Sequence, residues 1–319
     1  MKRITVVGAG NVGATCANEV ARRSLAEEVV VVDLNEGASH GKSLDLWEAA
    51  PIQNISTRGV GVGNDYSRTA GSGVVVITAG LPRKPGMSRD DLIGTNAKIM
   101  KQVASEIVKY SPEAILIVVT NPLDVMTYAA LLASGRPSQK VFGMAGILDT
   151  ARYRAFIADE LGISPRDVNA LLLGGHGDTM VPLPRYTSVG GIPVHELMDE
   201  AKLAAIVERT KKGGGEIVNL MGTSAWYAPG AAAAEMVEAV VRNERRILPV
   251  CAALHGEYGL RDLYLGVPVV LGANGVEKVV EIRLDTKEME LLHQSAAAVK
   301  NVMKVLDGMD LFEGKTFGH

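Results

Sequence analysis

Residues 4–13 read Ile4-Thr5-Val6-Val7-Gly8-Ala9-Gly10-Asn11-Val12-Gly13, an apolar run passing straight into G-x-G-x-x-G. Three glycines at that spacing are, alone, an ordinary turn. Here they follow a β-branched run, open the amphipathic stretch Ala14–Arg23, and precede by 20 residues an acid, Asp33, at the end of Val29–Val32. That context marks a strand–turn–helix unit that holds a dinucleotide. Gly8 permits the tight turn, Gly10 lets backbone approach a pyrophosphate, and Gly13 lets helix and strand pack closely. The helix N-terminus adds N–H donors and partial positive charge. Asp33 is placed to accept from ribose hydroxyls and repel a 2′-phosphate, favouring NAD over NADP; the bland alternative is a cap for the next turn.

Working outward, Ile4–Val7, Val29–Val32, Val74–Thr78, Ile115–Thr120 and Val141–Gly143 are nearly all apolar. Such strands belong to a sheet buried on both faces, hence a parallel sheet with helical crossovers. Ala14–Arg23, Asn96–Lys109 and Asp124–Ser134 supply those helices. Past Ala145 the pattern changes: a helix Thr150–Leu161, a strand Val168–Leu173, and a helical stretch from His195 towards Lys212 that Gly213-Gly214-Gly215 should stop. Ile247–Leu254, Leu263–Leu271 and Val276–Arg283 read as antiparallel strands, and Thr286–Leu306 as a closing helix. The expected fold is α/β, a Rossmann-type doubly wound parallel sheet (residues 1–143, nucleotide-binding) followed by an α+β substrate domain with antiparallel strands (residues 144–319). A small-ligand site belongs between them.

Composition narrows the partners. The chain has 319 residues, 47% hydrophobic and 22% charged, with a formal net charge of −3. That balance excludes disorder and argues against nucleic acid, whose binding rests on phosphate neutralisation. Two distant cysteines, Cys16 and Cys251, provide neither a disulfide framework nor a thiolate metal cluster. No apolar run approaches the ~20 residues of a membrane helix, and a strand at Ile4 leaves no room for a signal peptide. A cytoplasmic, membrane-free protein is expected.

Four segments carry candidate chemistry. In Gly174-Gly175-His176-Gly177-Asp178, glycines leave a histidine accessible just beyond an apolar strand, where an imidazole suits proton exchange near neutrality. Its carboxylate partner is either Asp149, at the start of a helix, or the neighbouring Asp178; spacing leaves both open. Gly80-Leu81-Pro82-Arg83-Lys84-Pro85-Gly86-Met87-Ser88-Arg89 is a basic loop at the sheet edge, either solvated or an anion clamp. Arg152 lies three residues past Asp149, and Asn121 ends a buried strand.

Taken in order, Gly8–Gly13 with Asp33, Pro82–Arg89, Thr120-Asn121-Pro122, Asp149–Arg152 and Gly175–Asp178 resemble the lactate/malate dehydrogenase family over nearly the whole chain, nearest its lactate-dehydrogenase-like malate dehydrogenases. The resemblance implies His176 as proton donor and acceptor, Asp149 as its carboxylate, and Arg152 as clamp on the substrate's C1 carboxylate. It implies Arg89 as the mobile-loop arginine that polarises the carbonyl, in a lid formed by Pro82–Arg89, and Asn121 beside the carbonyl oxygen and nicotinamide. Arg83 takes the discriminating position, where Arg faces a second carboxylate and Gln a methyl group. Cofactor contacts extend to Asn11, Val12, Thr78, Gly80, Asn96, Val119 and Asn121. NAD, a small dicarboxylate substrate (malate or oxaloacetate), no metal, a role in the tricarboxylic acid cycle and a homodimer or homotetramer complete what it implies; the apolar stretches Leu44–Ala50 and Trp226–Val241 are either contact faces or internal packing. A lactate dehydrogenase, an NAD-dependent glycoside hydrolase and a non-catalytic NAD-binding protein are the competing readings; Arg83, the lack of a Cys/His metal site, and the joint presence of His176, Asp149, Arg152 and Arg89 speak against them in turn.

Overall fold

The structure, a computed structural model, describes residues 1–82 and 88–317. In chain order the first half runs β1 (Arg3–Val7), α1 (Asn11–Arg22), β2 (Glu28–Val32), α2 (Glu36–Gln53), β3 (Arg58–Val62), β4 (Val74–Ile77), α3 (Arg89–Tyr110), β5 (Ile115–Val118), α4 (Leu123–Ser134) and β6 (Val141–Gly143). The second runs α5 (Gly146–Leu161), five two-residue strands β7 (Val168–Asn169), β8 (Leu172–Leu173), β9 (Val181–Pro182), β10 (Ser188–Val189) and β11 (Ile192–Pro193), then α6 (Glu200–Met221), α7 (Tyr227–Val241), β12 (Arg246–His255), β13 (Arg261–Gly272), β14 (Gly275–Val279) and α8 (Thr286–Asp307).

The strand order β3-β2-β1-β4-β5-β6 is that of a doubly wound dinucleotide fold, with every neighbour parallel. The order reverses between β1 and β4, so their carboxyl ends, Val7 and Ile77, open onto the crevice where ligands bind. Ile4, Val6, Val74, Val75, Val76 and Ile77 are wholly buried. Each contributes about 1.5–3 kcal/mol by leaving water, and a charge at Val76 would break the sheet.

Several elements differ from expectation, each for a local reason. β3 is absent from the sequence reading because Arg58-Gly59-Val60-Gly61-Val62 lacks a continuous apolar run. Those glycines let α2 lie directly on the strand: a Cβ at Gly59 would come 2.6 Å from the Ser43 carbonyl, and one at Gly61 2.5 Å from His40 Cα. Helix α3 begins seven residues before Asn96, at a reciprocal cap between Ser88 and Asp91. The Val168–Leu173 strand is two short strands, β7 and β8. Gly213-Gly214-Gly215 does not stop a helix; α6 runs through it to a left-handed cap at Gly222. The antiparallel strands form no separate sheet, because β12 pairs with β6 at Cys251–Gly143 and extends the same sheet to nine strands. A smaller apolar cluster around Tyr153, Ile157, Val168 and Leu203 sits under α5 and α6.

Candidate active site

The nucleotide seat follows from backbone geometry. Gly8 has φ +109°, a left-handed value that favours glycine, and a Cβ there would sit 2.5 Å from Thr78 Oγ1. At Gly13 a Cβ would collide with the Gly8 carbonyl oxygen. Nothing lies within 4 Å of the position a Cβ would take on Gly10. Gly10 borders a cavity of about 310 Å³ also lined by Gly8, Asp33, Tyr66, Thr78 and Gly80. Gly10 is the N-cap of helix α1 and offers no side-chain cap, so the first N–H groups of the helix are free for a phosphate. Asp33 Oδ2 accepts from Ala9 N–H at 2.6 Å and Oδ1 from Asn35 N–H at 2.8 Å, which pins the acid to the loop and leaves lone pairs for ribose hydroxyls. The residues present fit NAD.

Other expected cofactor residues differ in what they touch. Asn11 and Val12 open α1 beside Gly10. Thr78 Oγ1 donates to the carbonyls of Val7 and Gly8 at 3.1 and 3.2 Å. Asn96 is buried, and its amide accepts from Leu81 N–H at 2.8 Å while donating to the Leu81 and Asn121 carbonyls at 3.1 and 2.7 Å. It therefore ties together the loops beyond β4 and β5. Val119 is buried with its N–H on the Ile77 carbonyl, and Asn121 is exposed just past β5. Lys42 of α2, which no sequence pattern singles out, donates to the Ala9 carbonyl at 2.7 Å and brings a positive charge to the loop.

Two elements of the second half bring His176, Asp149 and Arg152 together. His176 Nδ1–H donates to Asp149 Oδ2 at 2.8 Å, and Arg152 Nη1 reaches Asp149 Oδ1 at 3.2 Å. One carboxylate thus orients both the imidazole and the guanidinium. Asp149 lies in the first turn of α5 with a side chain 3% exposed, whereas Asp178 is exposed. The choice that spacing left open falls to Asp149. With Nδ1 engaged, Nε2 is the nitrogen left for a substrate.

The histidine loop is braced on three sides. Gly174 exchanges backbone hydrogen bonds with Gly266 of β13, Gly175 N–H donates to Ser295 Oγ of α8 at 2.8 Å, and His176 N–H donates to Asp124 Oδ2 at 3.0 Å. Gly174 and Gly177 have φ +89° and +126°, so the turn depends on them. Asp124 was not foreseen. Its other oxygen accepts from the Cys251 thiol at 3.2 Å, and burial pushes its carboxyl up. Burial pulls the His176 imidazole down, but the charge and hydrogen bond of Asp149, with the charge of Asp124, outweigh burial and Arg152, and hold it above its ordinary value.

Arg89 is the exposed first residue of α3. Arg83 and the rest of residues 83–87, and with them the expected substrate discriminator and most of the lid, lie outside the described residues. Among the described residues no group of three His, Cys, Asp or Glu side chains is gathered for a metal.

A nucleotide seat and an imidazole held by a buried carboxylate, in one α/β fold, define the class of nicotinamide-dependent dehydrogenases. The model of the lactate/malate dehydrogenase NAD-binding domain matches residues 2–143, and that of the family's α/β C-terminal domain residues 147–307; the chain belongs to the lactate/malate dehydrogenase family. It is 64% identical over 307 residues to a malate dehydrogenase of Cytophaga hutchinsonii, covering 96% of this chain and 98% of that protein. The solved malate dehydrogenase of Salinibacter ruber superposes with a TM-score of 0.93 at 57% identity, covering 98% and 100% of the two chains. A lactate dehydrogenase of Cryptosporidium parvum, solved with lactic acid and nicotinamide adenine dinucleotide, reaches 0.92 at 39% identity over 96% and 98%.

Proposed function

We propose that this chain is an NAD-dependent malate dehydrogenase that interconverts (S)-malate and oxaloacetate. The observation that carries the chemistry is the single buried carboxylate of Asp149 holding both His176 and Arg152. The relatives named malate dehydrogenase support the substrate. Gly8, Gly10, Asn11, Val12, Gly13 and Asp33 hold the dinucleotide, with Thr78 and Gly80 on the cavity wall. Bound NAD supplies the hydride exchange at substrate C2.

The chain's residues do the rest. Neutral His176 accepts the hydroxyl proton of malate at Nε2, and Asp149 stabilises the imidazolium that results. In the reverse direction protonated His176 returns that proton while Arg89 faces the charge growing on the carbonyl oxygen. Arg152 binds the C1 carboxylate, Arg83 the second carboxylate, and Asn121 the carbonyl oxygen. NADH oxidation with oxaloacetate and pyruvate side by side tests the reading: a preference for oxaloacetate is expected, and equal or better use of pyruvate would overturn it.

The reading includes a cytoplasmic enzyme of the tricarboxylic acid cycle, acting as a homodimer or a dimer of dimers. Among the described residues no helix is long and apolar enough to cross a membrane. The outer face of α2 leaves Leu44, Trp47 and Ile52 in water, the last 87% exposed, and α6 with the start of α7 leaves Leu220 80% and Tyr227 73% exposed. Such side chains on two helices favour self-association through these faces. Most of Trp226–Val241, by contrast, is interior packing: α7 is largely buried, and a Cβ on Gly230 would meet Thr15 of α1 at 2.6 Å. Ile52→Glu with Leu220→Glu should yield a smaller species in sedimentation; an unchanged mass would rule these faces out.

A further inference from the structure

Helix α6 crosses α5 at Gly213, and we infer that this glycine sets where the Arg152 guanidinium points, which makes it a positioning residue for the acid substrate. The inference rests on the reading above that Arg152 binds a substrate carboxylate. Gly213 is buried, and a Cβ there would fall on Arg152 Cδ and lie 2.7 Å from Nε. Gly214 and Gly215 are exposed, and nothing lies within 4 Å of the Cβ positions they lack. Of three consecutive glycines, only Gly213 has a spatial requirement.

A helix interior normally disfavours glycine, so a triplet inside a 22-residue helix needs compensation. Arg209 provides a brace across it. Its Nε and Nη2 donate to the Glu216 carboxylate at 3.1 and 2.8 Å, and its guanidinium lies 4.0 Å from the ring centroid of Phe156. Phe156 is one turn beyond Arg152 on α5. The weakened part of α6 is therefore fastened to α5 beside the arginine that it must accommodate.

The atoms involved decide what a methyl group would displace. It would meet the middle of a flexible side chain rather than backbone, so the strain is relieved by moving Arg152. The other end of Arg152 rests on Asp149 Oδ1 at 3.2 Å, a contact that such a movement breaks or redirects. Alanine also favours the helix over glycine. Gly213→Ala should thus damage substrate binding while costing no more stability than loss of the Arg152–Asp149 contact itself, a limit that a purely structural glycine would not respect.

The test compares Gly213→Ala, Gly214→Ala and Gly215→Ala by oxaloacetate reduction, fluorescence titration with NADH, and thermal melting. Gly213→Ala should raise KM for oxaloacetate roughly tenfold to a hundredfold, as expected for a misplaced clamp, with unchanged NADH affinity and a Tm no lower than that of Arg152→Ala. The other two should leave KM unchanged. Equal KM values in all three variants, or a Tm for Gly213→Ala below that of Arg152→Ala, would overturn the inference. In an Arg152→Ala background, Gly213→Ala should cause no further loss of kcat/KM and no loss of Tm. A lower Tm there would mean the glycine accommodates something else, and overturns the inference even if the single variant fails to fold. If the wild-type chain does not reduce oxaloacetate, the functional reading fails instead, while melting in the two backgrounds still tests the contact.

Discussion

Replacing Asp149 by asparagine removes one charge and almost no volume, and its cost can be worked from the site. The carboxylate lies 2.8 Å from His176 Nδ1 and its side chain is 3% exposed. At an effective dielectric of ~20, unit charges at that separation attract by about 6 kcal/mol. Arg152, 3.2 Å from the other carboxylate oxygen, still repels the imidazolium once the carboxylate charge is gone, while the part of the ring open to water recovers some hydration. The net loss for the protonated imidazole is about 3 kcal/mol, roughly a hundredfold in its favour over the neutral form. The direction follows from the present state: Asp149 helps hold the His176 pKa above its ordinary value, so the variant's pKa must fall. In the proposed mechanism oxaloacetate reduction needs protonated His176, so its pH profile should move to lower pH and kcat/KM near neutrality should drop towards a hundredfold. The assay is kcat/KM for oxaloacetate from about pH 5 to 9, with NADH affinity measured separately. An unmoved midpoint, or a loss confined to NADH binding, would refute the assignment of Asp149 as the carboxylate of the imidazole.

Other expectations follow from named contacts. Gly10→Ala should keep its Tm and lose tenfold or more in NADH affinity, because its Cβ meets no protein atom but enters the phosphate path, an estimate on the order of one pyrophosphate hydrogen bond; Gly13→Ala should lose both Tm and affinity, since its Cβ meets the Gly8 backbone. Equal Tm values for the two would contradict this cradle. Arg83→Gln should shift preference from oxaloacetate towards pyruvate by about thirtyfold to a few thousandfold, from ~2–5 kcal/mol for truncating one partner of a buried charge pair; unchanged selectivity would remove Arg83 as the discriminator. Because the pKa of His176 is raised on folding, its ion pair stabilises the fold below the unfolded value of ~6.5, and that contribution is lost as pH rises through the folded value. The stability gap between wild type and His176→Asn, measured by urea unfolding, should therefore narrow as pH rises; a widening gap would reverse the sign of the shift.

Much of this was legible because it is local. The β1 run, its three glycines and Asp33 specify a strand, a turn, a helix start and an acid at fixed offsets, and the cradle has that form. The apolar runs located the parallel strands for the same reason, since a strand buried on both faces cannot hide its composition. β3 escaped notice because its glycines serve a helix packed across it, a constraint invisible along the chain. Gly213-Gly214-Gly215 misled for a similar reason: propensity alone predicts a stop, whereas the brace from Arg209 and the packing against α5 carry the helix through.

By itself, the sequence determined the class of fold, the nucleotide seat and the residue types available for proton transfer and anion binding. Tertiary structure alone decided which of them meet. Asp149 and His176 are 27 positions apart yet 2.8 Å apart in space, and the neighbouring Asp178 is left in water. Asp124 and Lys42 joined the site only through contacts between distant elements. The physical reason is range: backbone propensity and periodicity act within a turn or two of the chain, whereas a pKa, a tautomer or the aim of a guanidinium is set by whatever lies within a few ångströms.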